Sequence, residues 1–79
     1  MRVILFGAAR EIVGEKQVAI NVNENIATVG DLKLWMKQKY PELQQLKSFA
    51  VAVNSEYAED QQTLSPENEI AIIPPVSGG

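Results

Sequence analysis

The 79-residue chain contains no cysteine and no histidine. The first absence excludes a disulfide framework, a thiol nucleophile and any thiolate metal site; the second removes the commonest general base and the commonest zinc ligand. Ser48, Ser55, Ser65 and Ser77 therefore have no imidazole to activate them, which rules out a Ser-His-Asp triad. Basic residues are also scarce. Seven Lys and Arg against ten Asp and Glu leave a net charge of -3, which opposes the phosphate-neutralising contacts behind nucleic-acid affinity. No apolar run approaches the ~20 residues that cross a bilayer, and the first residues lack the charged and apolar regions of a secretion signal. These absences predict a cytoplasmic protein with neither nucleic acid nor membrane as partner. The carboxylates Glu56, Glu59 and Asp60, and Glu67 and Glu69, cluster near turns, where such groups are usually solvated, so no metal site is expected.

What is present is one small domain, 46% hydrophobic and too short for a second core. Residues 2–6 (RVILF) and 17–22 (QVAINV) have the β-branched content and alternation of strands, and pair as a hairpin. Residues 7–16, with a glycine at each end and charges at Arg10, Glu11 and Glu15, read as a surface loop. Thr28 and Asp31 have the spacing of a capping box, which starts a helix at Val29. Val29, Leu32, Met36 and Tyr40 then form its apolar stripe, Trp35 lies alongside, and Pro41 stops it. Gly30 reads as a weak point, costing ~1 kcal/mol relative to alanine. After a connector over residues 42–47 come strands at 49–53 (FAVAV) and 69–73 (EIAII). A brief edge strand is expected at Tyr57 and Ala58, with turns at Asn54–Ser55 and at 65–68 (SPEN). The order predicts an α+β domain, a mixed sheet with one main helix across one face.

Two strands break the alternation expected of a sheet covered on one side. With Val3 and Leu5 turned to the helix, Ile4 and Phe6 face away; with Ile70 and Ile72 inward, Ala71 and Ile73 face outward. Phe6, Ile73 and Tyr57 are thus candidates for a partner surface, beside the alternative of ordinary scattered surface hydrophobics. The sequence closes with Pro74, Pro75, Val76, Ser77, Gly78 and Gly79. Tandem prolines cannot continue a central strand and hold the chain extended, so residues 74–79 form a tail reaching roughly 20 Å from a domain spanning residues 1–73. Glycines without Cβ atoms could thread a narrow channel and present the Gly79 α-carboxylate at its far end. In a chain without Cys or His, that carboxylate is the one convincing carrier group, and activation as an acyl-adenylate would open it to a nucleophile. The competing explanation is an ordinary frayed terminus.

The closing IIPPVSGG (72–79), together with LFGAAREIVG (5–14), AVAVN (50–54) and TVGDL (28–32), resembles the small sulfur-carrier subunits of molybdopterin synthase along the whole chain. The resemblance implies a ubiquitin-like β-grasp fold. It also implies that an adenylating enzyme similar to the ubiquitin E1 class, using ATP, activates Gly79, and that a sulfur donor system converts it to a thiocarboxylate. Pro74, Pro75, Val76, Ser77 and Gly78 would carry the tail into the large synthase subunit, where sulfur passes to a cyclic pyranopterin monophosphate. Two small and two large subunits are implied, with no cofactor bound by this chain and no catalysis by it alone. Matching positions place the partner interface at Phe6, Tyr57 and Ile73, with Arg10 either a partner contact or a solvated charge. Where many members have Gly-Asp-Glu, this chain has Glu67, Asn68 and Glu69, so Asn68 is expected to supply any left-handed backbone a glycine would have given. Three other functions stay in contention: a thiamine-pathway sulfur carrier, a ubiquitin-like protein modifier, and an interaction module whose tail does no chemistry.

Overall fold

Five strands form one sheet in the order β2-β1-β5-β3-β4 in a computed structural model that describes residues 1–21, 24–46 and 49–74. They are β1 (Arg2–Leu5), β2 (Gln17–Ala19), β3 (Ala50–Val53), β4 (Glu56–Ala58) and β5 (Glu69–Ile73). The central pair, β1 and β5, runs parallel, and every other pairing is antiparallel. β2 is shorter than the expected strand; its ladder continues in the bond from Ile20 N–H to the Met1 carbonyl, and Val22 lies outside the described residues. The expected connector after the main helix begins as a 3-10 turn, Pro41–Gln45, which buries Leu43.

The expected surface loop is in fact a helix, α1 (Gly7–Val13). Ala9, Ile12 and Val13 recur at three- and four-residue spacing; Ala9 is fully buried, and the other two pack at the edge of the core. The second glycine that suggested a loop is the stop of this helix, Gly14, whose N–H bonds the Arg10 carbonyl at 2.8 Å.

The main helix, α2 (Val29–Lys39), starts where its capping box predicts. Asp31 N–H donates to Thr28 Oγ1, while Asp31 Oδ2 accepts from the N–H groups of Thr28 and Ala27. The next two orphan donors are met from across the chain, Val29 N–H by the Gln62 carbonyl and Gly30 N–H by that of Asp60. Lys33 Nζ reaches Asp60 Oδ1 at 2.7 Å and ties the same loop to the helix. Gly30 is therefore not a weak point: a Cβ there would lie 3.3 Å from the Asp60 carbonyl oxygen, so glycine permits the close approach that satisfies the helix start.

Val29, Leu32 and Met36 bury fully against Val3, Leu5, Ile70, Ile72, Val51 and Val53, so the core lies between α2 and one face of the sheet. α1 and the 3-10 turn pack together beside it. Asn54 (φ 52°) and Ser55 (φ 71°) make the two-residue turn of the β3–β4 hairpin, the positive-φ geometry that matches strand twist. Asn68 does not take the left-handed conformation expected of it. Its side-chain Oδ1 accepts from Ser65 N–H at 2.7 Å and its own N–H donates to the Ser65 carbonyl at 3.0 Å, closing the expected turn. Among the described residues no helix is long and apolar enough to cross a membrane.

Candidate docking face

On the face away from α2, strand parity places Ile4 and Phe6 at the β1 end, Ala71 and Ile73 on β5, Ala52 on β3 and Tyr57 on β4. The register aligns Ile4, Ala71, Ala52 and Tyr57 in one row across four strands. Two alanines in the middle of that row, between larger side chains at its ends, leave a depression. With Phe6, Ser55, Glu69 and Ile73 these residues line a groove of about 310 Å³. Phe6 is 49% and Tyr57 73% exposed, so the large apolar groups at its rim are open to solvent. A wider hollow of about 550 Å³ adjoins it over β2, but its lining mixes Met1, Ile4 and Ile20 with Arg2, Gln17, Asn21, Glu67 and Asn68.

Phe6 occupies a position that stability alone would fill differently. It is the N-cap residue of α1 and makes no side-chain capping bond, where Ser, Thr, Asp or Asn would be worth ~1 kcal/mol. Its backbone is nonetheless fixed: Phe6 N–H donates to the Ile72 carbonyl and its own carbonyl accepts from Arg10 N–H. An exposed aromatic held rigidly at a helix cap is the residue type that anchors interfaces.

The root of the tail sits beside it. Gly7 has φ 52°, and a Cβ on it would stand 3.1 Å from Pro74 Cγ, so the start of α1 and the residue after β5 meet closely at a position where a side chain would be strained. The chain thus leaves the sheet at the apolar end of the groove.

Of the residues expected from the sequence, Phe6, Tyr57 and Ile73 come together in the groove, and Pro74 lies close to Gly7, the residue after Phe6. Arg10 is exposed on α1 and does not line the groove. Pro75, Val76, Ser77, Gly78 and Gly79 lie outside the described residues. Sequence reasoning missed Ala52, Ser55 and Gly7. Parity could have found Ala52, since Val51 and Val53 on either side of it are buried; nothing local marks Gly7, whose constraint comes from Pro74. Among the described residues no cluster of Asp and Glu could hold a metal ion. The Asp31 carboxyl is held below its ordinary range chiefly by the N–H of Ala27 and then that of Thr28, on the opposite side of the sheet from the groove.

The chain matches the model of the ThiS family over residues 3–79. It is 37% identical over 82 residues to the molybdopterin synthase sulfur carrier subunit of Caenorhabditis elegans, covering all of this chain and 96% of that protein. With the subunit of the same name from Arabidopsis thaliana it shares 35% identity over 83 residues, covering all of this chain and 82% of that protein. Its backbone superposes on the crystal structure of SAMP1 from Haloferax volcanii, a small archaeal modifier protein, with a TM-score of 0.79 at 29% identity, covering 99% of this chain and 97% of that one. The ubiquitin-like β-grasp architecture and the full-length match agree, and the chain belongs to the ThiS family alongside the molybdopterin synthase sulfur carrier subunits.

Proposed function

We propose that this chain carries sulfur in the assembly of the molybdenum cofactor, as the small subunit of molybdopterin synthase. The observation that carries the reading is the geometry of the tail root: β5 ends at Ile73, which lines the apolar groove, and Pro74 follows close to Gly7, so a protein seated there stands next to the start of the tail. The full-length likeness to sulfur carrier subunits supports the same assignment.

In this reading an adenylating enzyme of the E1 class uses ATP to join the Gly79 carboxylate to AMP. A sulfur nucleophile from a donor system then attacks the carbonyl, AMP leaves, and the product is a thiocarboxylate. Phe6, Tyr57 and Ile73 dock the large synthase subunit, two small subunits flanking two large ones, with Arg10 a further contact. Pro74, Pro75, Val76 and Ser77 lie along its channel, Gly78 passes the narrowest part, and the Gly79 sulfur reaches a cyclic pyranopterin monophosphate. The chain binds no cofactor, performs no catalysis alone and works in the cytoplasm.

The test is the mass of the tryptic peptide 48–79 after the untagged protein is incubated with ATP, a competent activating enzyme and a sulfide source. This peptide contains no methionine, so oxidation of Met1 or Met36 cannot mimic the replacement of oxygen by sulfur. The expected result is that replacement at Gly79; an unchanged carboxylate rejects the chemistry. Deleting Gly79, or adding one residue after it, is expected to abolish sulfur transfer while the melting temperature stays the same. Transfer by the extended tail would reject the mechanism.

The likeness to a small archaeal modifier protein favours a second reading, in which activated Gly79 is joined to lysines of other proteins. Higher-mass conjugates retained under denaturing conditions would support it.

A further inference from the structure

Charge is sorted by region in this protein. α2 carries Lys33, Lys37 and Lys39 against Asp31 alone, whose carboxylate is taken up in the helix cap. From residue 49 onward the sequence has no Lys or Arg, yet it has Glu56, Glu59, Asp60, Glu67 and Glu69. Lys33 pairs with Asp60, and among the described residues the other four carboxylates make no ion pair. Glu69 lines the groove, Glu67 with Glu69 lines the adjoining hollow, and Glu59 follows the groove residue Tyr57 by two positions, whereas Glu56, opposite the buried Val53 in the β3–β4 register, falls on the α2 side. Arg2 and the α-ammonium of Met1, which donates to the Ile20 carbonyl at 3.2 Å, are the cations at that hollow; Arg2 stands beside Glu69 in the β1–β5 register without pairing to it.

We propose that the surface seated in this groove is an apolar projection ringed by lysine and arginine, drawn in by Glu59, Glu67 and Glu69. The proposal rests on the docking reading given above and specifies the chemistry of the partner at that site. An acidic ring around the projection would be repelled at the rim, and a neutral one would leave the carboxylates without partners. The lysines of α2, on the other side of the sheet, repel the same basic surface and turn the groove towards it. Because these three glutamates are solvent-exposed, their effect falls on the rate of encounter, while the apolar floor sets the lifetime of the complex.

The experiment measures association and dissociation rates with the large synthase subunit from about 0.01 to 1 M salt, over which the Debye length contracts from about 30 to 3 Å. For the native chain the association rate is expected to fall at least tenfold across that range, on the order seen for steered association. A variant combining Glu59→Gln, Glu67→Gln and Glu69→Gln is expected to associate more slowly at low salt, to lose most of that dependence, and to keep its dissociation rate. An association rate that is flat in salt, or equally salt-dependent in both proteins, overturns the proposal. Phe6→Asp separates the two levels of inference. If it abolishes binding while the native chain shows no salt dependence, the groove stands as the docking site and only its electrostatic part falls. If it binds normally, or if the native chain forms no complex, the docking reading fails and takes this proposal with it.

Discussion

The two faces of the sheet are built from the same strands by alternate residues, yet they are under different demands. On the α2 side, Ile70 and Ile72 are 0% exposed and share one core cluster with Val29, Leu32 and Met36. On the other side, Ala71 and Ala52 are small, Phe6 and Tyr57 stand open, and the surface is concave where a stability-driven design would be flat and polar. The first face keeps the fold together. The second gives up stability, including a helix cap at Phe6, to present apolar groups to something outside the chain.

Neighbouring positions should therefore respond to substitution in opposite ways. Ile72→Ala is expected to cost ~2–5 kcal/mol, a large part of the ~4–12 kcal/mol typical of a chain this long, by emptying a fully buried site. Its folded fraction should still bind the large subunit. Phe6→Asp should weaken that binding by about 30-fold or more, as loss of a central aromatic anchor does. Its stability should hold or rise, since aspartate at the α1 N-cap can accept from the first-turn N–H groups. Thermal melts and titration calorimetry on both variants check this; equal effects of both on stability would erase the distinction between the faces.

A finer division appears at the tail root. Gly7 and Gly14 both have positive φ, so alanine at either should cost ~1–2 kcal/mol in backbone strain. They differ in surroundings: a Cβ on Gly7 presses on Pro74 at 3.1 Å, whereas one on Gly14 meets nothing within 4 Å. Gly7→Ala should therefore also displace the tail root and lower affinity for the partner, and Gly14→Ala should not. Matching affinities would show that Pro74 does not couple the groove to the tail.

How much of this was legible beforehand depended on the range of the interactions. The α2 start was visible because its capping box lies within four residues, and the outward Ile4, Phe6 and Ile73 were visible because strand parity is local. α1 was misread: its two turns carry only Ala9, Ile12 and Val13 as an apolar stripe, and its terminal glycine looked like a loop marker. The constraints on Gly7 and Gly30 could not be read at all, since each comes from a residue distant in sequence, Pro74 and Asp60 respectively. At Asn68 the likeness to glycine points to the backbone, whereas its side chain closes the turn by accepting from Ser65 N–H. The docking groove was therefore legible in its rim and hidden in its floor, because Ala52 and Ala71 act through their smallness once the strands are side by side.

The smallest expected effect lies on the side of the sheet that should have no part in docking. The N–H groups of Ala27 and Thr28 hold the Asp31 carboxyl below its ordinary range, so its folded pKa lies beneath the unfolded value of about 3.9. A carboxylate depressed in this way contributes stability that is present above the unfolded pKa and is lost as pH falls through the folded one. Asp31→Asn should therefore melt below the native protein at neutral pH, and the gap should close as pH drops below about 4. Thr28→Ala, which removes the other half of the capping box, should cost ~1 kcal/mol at neutral pH. Neither change should alter affinity for the large subunit, because both lie across the sheet from the groove. A gap between Asp31→Asn and the native chain that persists unchanged at pH 3 would mean the cap acts through its geometry rather than its charge. A loss of affinity in either variant would mean that the two faces are coupled through the sheet.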